Sequence, residues 1–118
     1  SEGKIETVKV LLDTGADPNT PADDGRTPLI KAVDRHDTNM MQVLLAKGAN
    51  VNFQDSVSKA TALIRAAYRG YADAVKILLD SGADVTQKNW SGDTALTLAQ
   101  LNGNRHVVAL LKAAGAEE

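Results

Sequence analysis

Gly-Ala recurs at Gly15-Ala16, Gly48-Ala49, Gly82-Ala83 and Gly115-Ala116, at intervals of 33, 34 and 33 residues. In a chain of 118 residues that beat excludes most architectures. A fixed period in this range means small units stacked in a row, each contacting its neighbours, with a continuous core formed only by stacking. Chains of this type display surface, so the question becomes which face binds.

Each period repeats the same punctuation. Thr27-Pro28-Leu29, Thr61-Ala62-Leu63 and Thr94-Ala95-Leu96 share one slot. Thr before an apolar run reads as a helix N-cap, and Pro is harmless at the first helical position because its N–H would be orphaned there. Seven or so residues on stand His36, Gly70 and Gly103, with Gly3 one period earlier, where a helix closes in the left-handed region that glycine adopts cheaply. His36 breaks that pattern and predicts a strained or differently closed end. A second helix follows, marked by Val8, Leu11 and Leu12, by Met41, Leu44 and Leu45, and by Val75, Leu78 and Leu79 at i, i+3, i+4 spacing. The Gly-Ala pairs end it. Helices of about eight residues do not stand alone in water, so neighbours must stabilise them.

Asp-Gly-Arg-Thr-Pro-Leu at 24–29, Ala66-Ala67 with Gly70, and Leu-Leu-Asp-Ser-Gly-Ala-Asp-Val at 78–85 resemble ankyrin repeats across nearly the whole chain. The resemblance implies an all-α solenoid of stacked helix-turn-helix units joined by hairpin-like loops. It divides a single domain, 1–118, into a partial repeat at 1–24, repeats at 25–58 and 59–91, and a C-terminal capping repeat at 92–118. The chain departs from the family where Ile30, Ile64 and Thr97 replace the usual His. It departs again where an extra residue lies between Asn52 and Lys59, with Lys59 in a glycine slot. That loop is expected to bulge.

The last unit turns three apolar slots polar: Ile30 and Ile64 become Thr97, Val33 and Ala67 become Gln100, and Leu45 and Leu79 become Lys112. A terminal unit needs such a face. At the other end the first helix lacks its body, which predicts at least ten further residues upstream, beside an apolar patch at Ile5, Val8 and Leu12.

Several patterns suggest chemistry that the repeat explains away. Asp13-Thr14-Gly15 spells an aspartic-protease motif, but the same slot reads Ala46-Lys47-Gly48 and Asp80-Ser81-Gly82, so it is a helix-closing turn. His36 and His106 have no metal-ligand spacing, and with no cysteine the chain has no thiolate site. No catalytic residue, metal or cofactor is assigned. Asn89-Trp90-Ser91 matches a glycosylation acceptor, and Asn19 and Asn52 share a slot in which they serve the turn backbone. A net charge of −2 argues against nucleic acid, and no apolar run reaches the length of a membrane span.

The resemblance implies binding through loop tips and the exposed side of each first helix, by an intracellular, cytoplasmic monomer. The residues so placed are Asp23, Asp24, Arg26, Lys88, Trp90 and Asp93 on the tips, with Phe53, Val57, Ser58 and Lys59 between them. Lys31, Arg35, Arg65, Tyr68 and Arg69 come from the helices, beside Asp34, Leu101 and Asn102. Trp, Tyr and Arg dominate binding hot spots. Trp90 is read as a hot spot or as a loop anchor folded back on the third repeat. Lys31, Arg65, Arg35 and Arg69 form a cationic stripe suited to an acidic segment of a protein partner, unless Asp34, Asp23 and Asp93 neutralise it. A non-catalytic interaction module is the expected function. The alternative is a structural capping segment of a larger ankyrin-containing protein, with any enzyme activity in another domain.

Overall fold

The structure, a computed structural model, describes residues 18–116. Expectations for Gly3, Ile5, Val8, Leu11, Leu12, Asp13 and Gly15 lie outside that range. Six helices and no strand occupy the described residues: α1 Pro28–Asp34, α2 Thr38–Ala46, α3 Ala62–Arg69, α4 Ala72–Asp80, α5 Ala95–Leu101 and α6 Arg105–Ala113. They form three antiparallel pairs. α1, α3 and α5 pack side by side in one row, and α2, α4 and α6 line up behind them.

Local chemistry sets the ends as expected. The hydroxyls of Thr27, Thr61 and Thr94 accept from the N–H groups of Ile30, Ile64 and Thr97. Asp37 and Asn104 cap α2 and α6 in the same way, each supporting a helix start that would otherwise leave its first N–H groups unpaired. At the Gly-Ala beat the alanine N–H reaches back to a buried leucine carbonyl: Ala49 to Leu44, Ala83 to Leu78 and Ala116 to Leu111, each at 3.0 Å. Gly48, Gly82 and Gly115 are left-handed, which permits this closure. His36 takes the same conformation at φ 55°, so the broken slot keeps its geometry at the cost of a left-handed side-chain residue.

The core is aliphatic. Leu29, Ile30, Val33, Leu63, Ile64 and Leu96 are buried from the first row, and Met41, Leu44, Val75, Leu78, Val107 and Leu111 from the second. Burial of each such leucine contributes about 1.5–3 kcal/mol. Both methionines of the chain, Met40 and Met41, join this set. Leu45 and Leu79 are only half-buried, while Gln100 and Lys112 are exposed.

Three turns project from the first row. The N–H of Ala22 bonds the carbonyl of Arg26, Asp55 that of Ala60, and Asn89 that of Asp93. The middle turn therefore closes over one more residue than the others, which is the expected bulge. Lys59 stands at φ 62° where Gly25 and Gly92 stand at 79° and 82°.

Candidate functional site

The exposed sides of α1, α3 and α5, with the turns before them, form one continuous surface. Corresponding positions in successive helices adjoin: Lys31, Arg65 and Leu98; Asp34, Tyr68 and Leu101; Arg35, Arg69 and Asn102.

Between α1 and α3 the surface is charged. Oδ1 of Asp34 accepts from Nε of Arg65 at 2.6 Å and lies 3.4 Å from Nε of Arg69. Its Oδ2 accepts from Arg26 at 3.2 Å. One half-buried carboxylate thus serves three guanidinium groups. Arg65 is the most committed of them, with its side chain only 16% exposed and the buried Asp55 carboxylate 3.9 Å away. Lys31 pairs with Asp24 at 3.7 Å. The N–H of Arg26, with the nearby Lys31 and Arg26 charges, holds the Asp24 carboxyl below its ordinary range.

The expected stripe of four cations is therefore neutralised in part. Lys31 and Arg65 are tied down by Asp24 and Asp34. Among the described residues, the exposed Arg35 makes no ion pair and Arg69 keeps only the longer contact. Nor do Asp23 and Asp93, the other named neutralisers, make an ion pair among these residues. Arg26 faces Asp34 instead of standing free on its tip.

Between α3 and α5 the same slots carry carbon. A groove of about 220 Å³ opens there, floored by Ala60, Ile64 and Leu98 and walled by Tyr68, Arg65 and Arg69, with Ser58 and Asn89 at its loop side. Among the described residues the exposed large apolar side chains are Tyr68, Trp90 and Leu101, at 58, 68 and 72%, and Val57 on the turn before α3, at 63%. Asn102 donates to the Tyr68 carbonyl at 2.6 Å, joining the two helices beside the groove.

Backbone and side chain of Trp90 behave differently. Its N–H anchors to the Ser58 carbonyl at 3.0 Å, while its side chain stays in solvent. The anchor belongs to the backbone, and the indole is exposed. Lys88 and Lys59 are exposed on adjacent turns, which Gln54 ties together by donating to both carbonyls at 3.0 and 3.1 Å.

Sequence reasoning passed over Asp55. It is buried, and its carboxylate accepts from the N–H groups of Val57, Ser58 and Lys59 and from the Ser58 hydroxyl. The signal was present: Asp before a Ser-x-Ser segment favours an Asx turn. Asn89 does the same in the next turn, its Oδ1 accepting from the N–H groups of Ser91 and Asp93. Asn19 and Asn52 also serve turns, but in the following unit, where their side chains accept from Asn50 and Asp84.

His36 closes α1 as expected and then reaches across. Its Nε2 lies 2.7 Å from Oδ1 of Asp73, and its ring stacks on Tyr71 with centroids 3.9 Å apart. The His36 hydrogen bond, with the Ala74 N–H, lowers the Asp73 pKa. The Thr86 hydroxyl and N–H lower that of Asp84. His106 sits exposed in the first turn of α6. Among the described residues no three His, Asp or Glu side chains are grouped to hold a metal ion, and no helix is long and apolar enough to cross a membrane.

Residues 1–89 and 56–118 match the family described as ankyrin repeats, three copies. The chain is 43% identical over 111 residues to the B-cell lymphoma 3 protein homolog of Mus musculus, covering 93% of this chain and 24% of that protein. It is 41% identical over 102 residues to ankyrin repeat and SAM domain-containing protein 6 of Rattus norvegicus, covering 84% and 11%. It is 32% identical over 114 residues to cyclin-dependent kinase inhibitor 2A of Homo sapiens, covering 97% and 72%. The chain thus spans about a quarter or less of the first two relatives.

Proposed function

Because the chain belongs to the ankyrin repeat family, we propose that it is a non-catalytic protein-interaction module which binds through the α3–α5 surface and adjoining turns. The observation that carries this reading is the exposure of Tyr68, Trp90 and Leu101 beside a groove in an otherwise well-buried aliphatic fold. Exposed large apolar groups rimmed by charge are the ordinary signature of a recognition surface. The repeats at 25–58, 59–91 and 92–118 supply the frame. Short helices fixed by caps and stacking hold these side chains at set spacing, so little ordering entropy is lost on docking.

Two relatives support a protein as the ligand: cyclin-dependent kinase inhibitor 2A and, in Rattus norvegicus, cyclin-dependent kinase 4 inhibitor B, which is 32% identical over 97% of this chain. Their names place the action of those proteins on kinases, whereas this chain's partner is set by its own displayed residues. Tyr68→Ala or Trp90→Ala weakens partner binding by about 2 kcal/mol or more, roughly thirtyfold, with the circular dichroism spectrum and unfolding midpoint retained. Capture by the wild type beside each variant measures this. Equal affinity in all three moves the binding site elsewhere.

A second reading, a capping segment of a longer ankyrin-containing protein, draws on Thr97, Gln100 and Lys112, polar where earlier units are apolar. Gln100→Val with Lys112→Leu then promotes self-association, read by sedimentation. A variant that stays monomeric argues against a capping face.

A further inference from the structure

The groove between α3 and α5 combines a carbon floor with positive walls. Among its lining residues are two arginines and no carboxylate. We propose that it receives an extended segment of a partner protein in which one leucine- or phenylalanine-sized side chain is flanked by aspartate or glutamate. This inference rests on the interaction-module reading and names the chemistry of its partner.

Size limits the occupant first. About 220 Å³ falls below the roughly 300–1,000 Å³ of small-molecule and cofactor sites. The space suits one side chain inserted from a partner, against Ile64, Leu98 and the Tyr68 ring.

Charge then selects what flanks that side chain. Arg65 and Arg69 converge on the same Asp34 oxygen, at 2.6 and 3.4 Å, while Arg26 takes the other oxygen. Asp34 cannot balance three guanidinium groups, and Arg69 holds the longest of these contacts. A partner carboxylate supplies the fork of acceptors that Arg69 lacks. Arg35, exposed and without an ion pair among the described residues, stands in the equivalent slot of α1 and extends the field along the helices. Lys59 and Lys88, on turns joined by Gln54, extend it along the loop side. Of the carboxylates nearby, Asp55 is buried under its turn and lies 3.9 Å from Arg65, and Asp93 does not line the groove. A lysine-flanked segment meets unmatched repulsion in this field.

Trp90 reports on the site directly. It is the only Trp in the chain, and its N–H bonds the carbonyl of Ser58, a groove residue. Four capped pentapeptides are titrated into the full chain: a central Leu flanked by Glu, by Gln or by Lys, and a central Ser flanked by Glu. Trp90 fluorescence gives affinity and amide chemical shifts give location. The Glu-Leu-Glu peptide is expected to bind at least tenfold more tightly than the other three, with shifts centred on Ile64, Tyr68 and Leu98. Arg69→Gln, an exposed change, lowers that affinity at least fivefold and reduces its salt dependence. Equal binding of the Gln- or Lys-flanked peptide, shifts centred elsewhere, or no binding by any peptide overturns the inference. If that happens while Tyr68→Ala and Trp90→Ala still lose the partner, the module reading stands and only the stated partner chemistry falls.

Discussion

The two joints of the first row share a backbone and differ in what they do with it. Where α1 meets α3, Asp34 draws Arg26, Arg65 and Arg69 together and the surface closes over with ion pairs. Where α3 meets α5, the slots of Asp34, Arg65 and Arg69 hold Tyr68, Leu98 and Asn102. The surface stays open, and Asn102 donates across it to the Tyr68 carbonyl. The helix ends repeat the contrast. His36 crosses from the first unit to Asp73 and Tyr71, whereas at Gly70 a Cβ would run into the Asn104 side chain. A repeat frame sets where side chains stand. Whether a joint is sealed or left receptive depends on one acidic residue and its counter-ions.

Removing that acidic residue is the strongest way to break the comparison. Asp34→Ala leaves Arg65, with its half-buried guanidinium, without its best partner. It is expected to cost about 2 kcal/mol in urea unfolding, in line with hydrogen bonds to charged groups. A cost below about 0.5 kcal/mol would mean the first joint is held by packing alone. Transplanting the seal comes next. Tyr68→Asp with Leu98→Arg reproduces the Asp34–Arg65 pair at the second joint. It should lower Glu-Leu-Glu peptide affinity about tenfold, or about 1.4 kcal/mol, with stability changed by no more than about 1 kcal/mol. Retained affinity would show that groove chemistry does not distinguish the joints.

The two left-handed side-chain residues sharpen the contrast at smaller scale. Lys59→Gly relieves a left-handed conformation costing roughly 1–2 kcal/mol, partly offset by glycine's chain entropy, for a net gain of about 0.5 kcal/mol. His36→Gly relieves similar strain but forfeits the Asp73 bond and the Tyr71 stack, so no gain is expected. Equal gains in thermal midpoint would mean the His36 contacts contribute nothing. Smallest is a pH effect. The folded-state Asp73 pKa is lowered below 3.8 chiefly by His36, so this group's stabilisation is present above the ordinary carboxylate range and is lost as pH falls through the lowered value. Asp73→Asn should flatten the acid limb of the stability curve slightly. An unchanged limb would assign the slope to other carboxylates.

Much of this was legible from local chemistry. Thr27, Thr61 and Thr94 announce helix starts because a hydroxyl satisfies an orphan N–H only a few residues away. The bulge was readable as a count, one residue more before Lys59 than its neighbours allow. The candidate surface was legible as a set of slots, and Tyr68 and Trp90 do stand exposed on it. Partnerships across units were harder to read. Asp34 was one of three named neutralisers, and nothing in the period distinguished it from Asp23 or Asp93. Gln54 escaped notice because its partners are backbone carbonyls of turns, which have no residue type to recognise, and Asp55 although its Asx-turn pattern was there to read.

Sequence alone determined the all-α repeat architecture, the helix ends and the residues that face outward. These follow from periodicity and from hydrogen bonds that span a few residues. Only tertiary structure decided that Arg65 is committed while Arg69 holds a longer contact, that the Trp90 backbone anchors while its ring does not, and that a groove opens between α3 and α5. Each of those depends on which group from a neighbouring unit arrives within about 3 Å. A one-dimensional period fixes the slots but not the rotamers that meet between them.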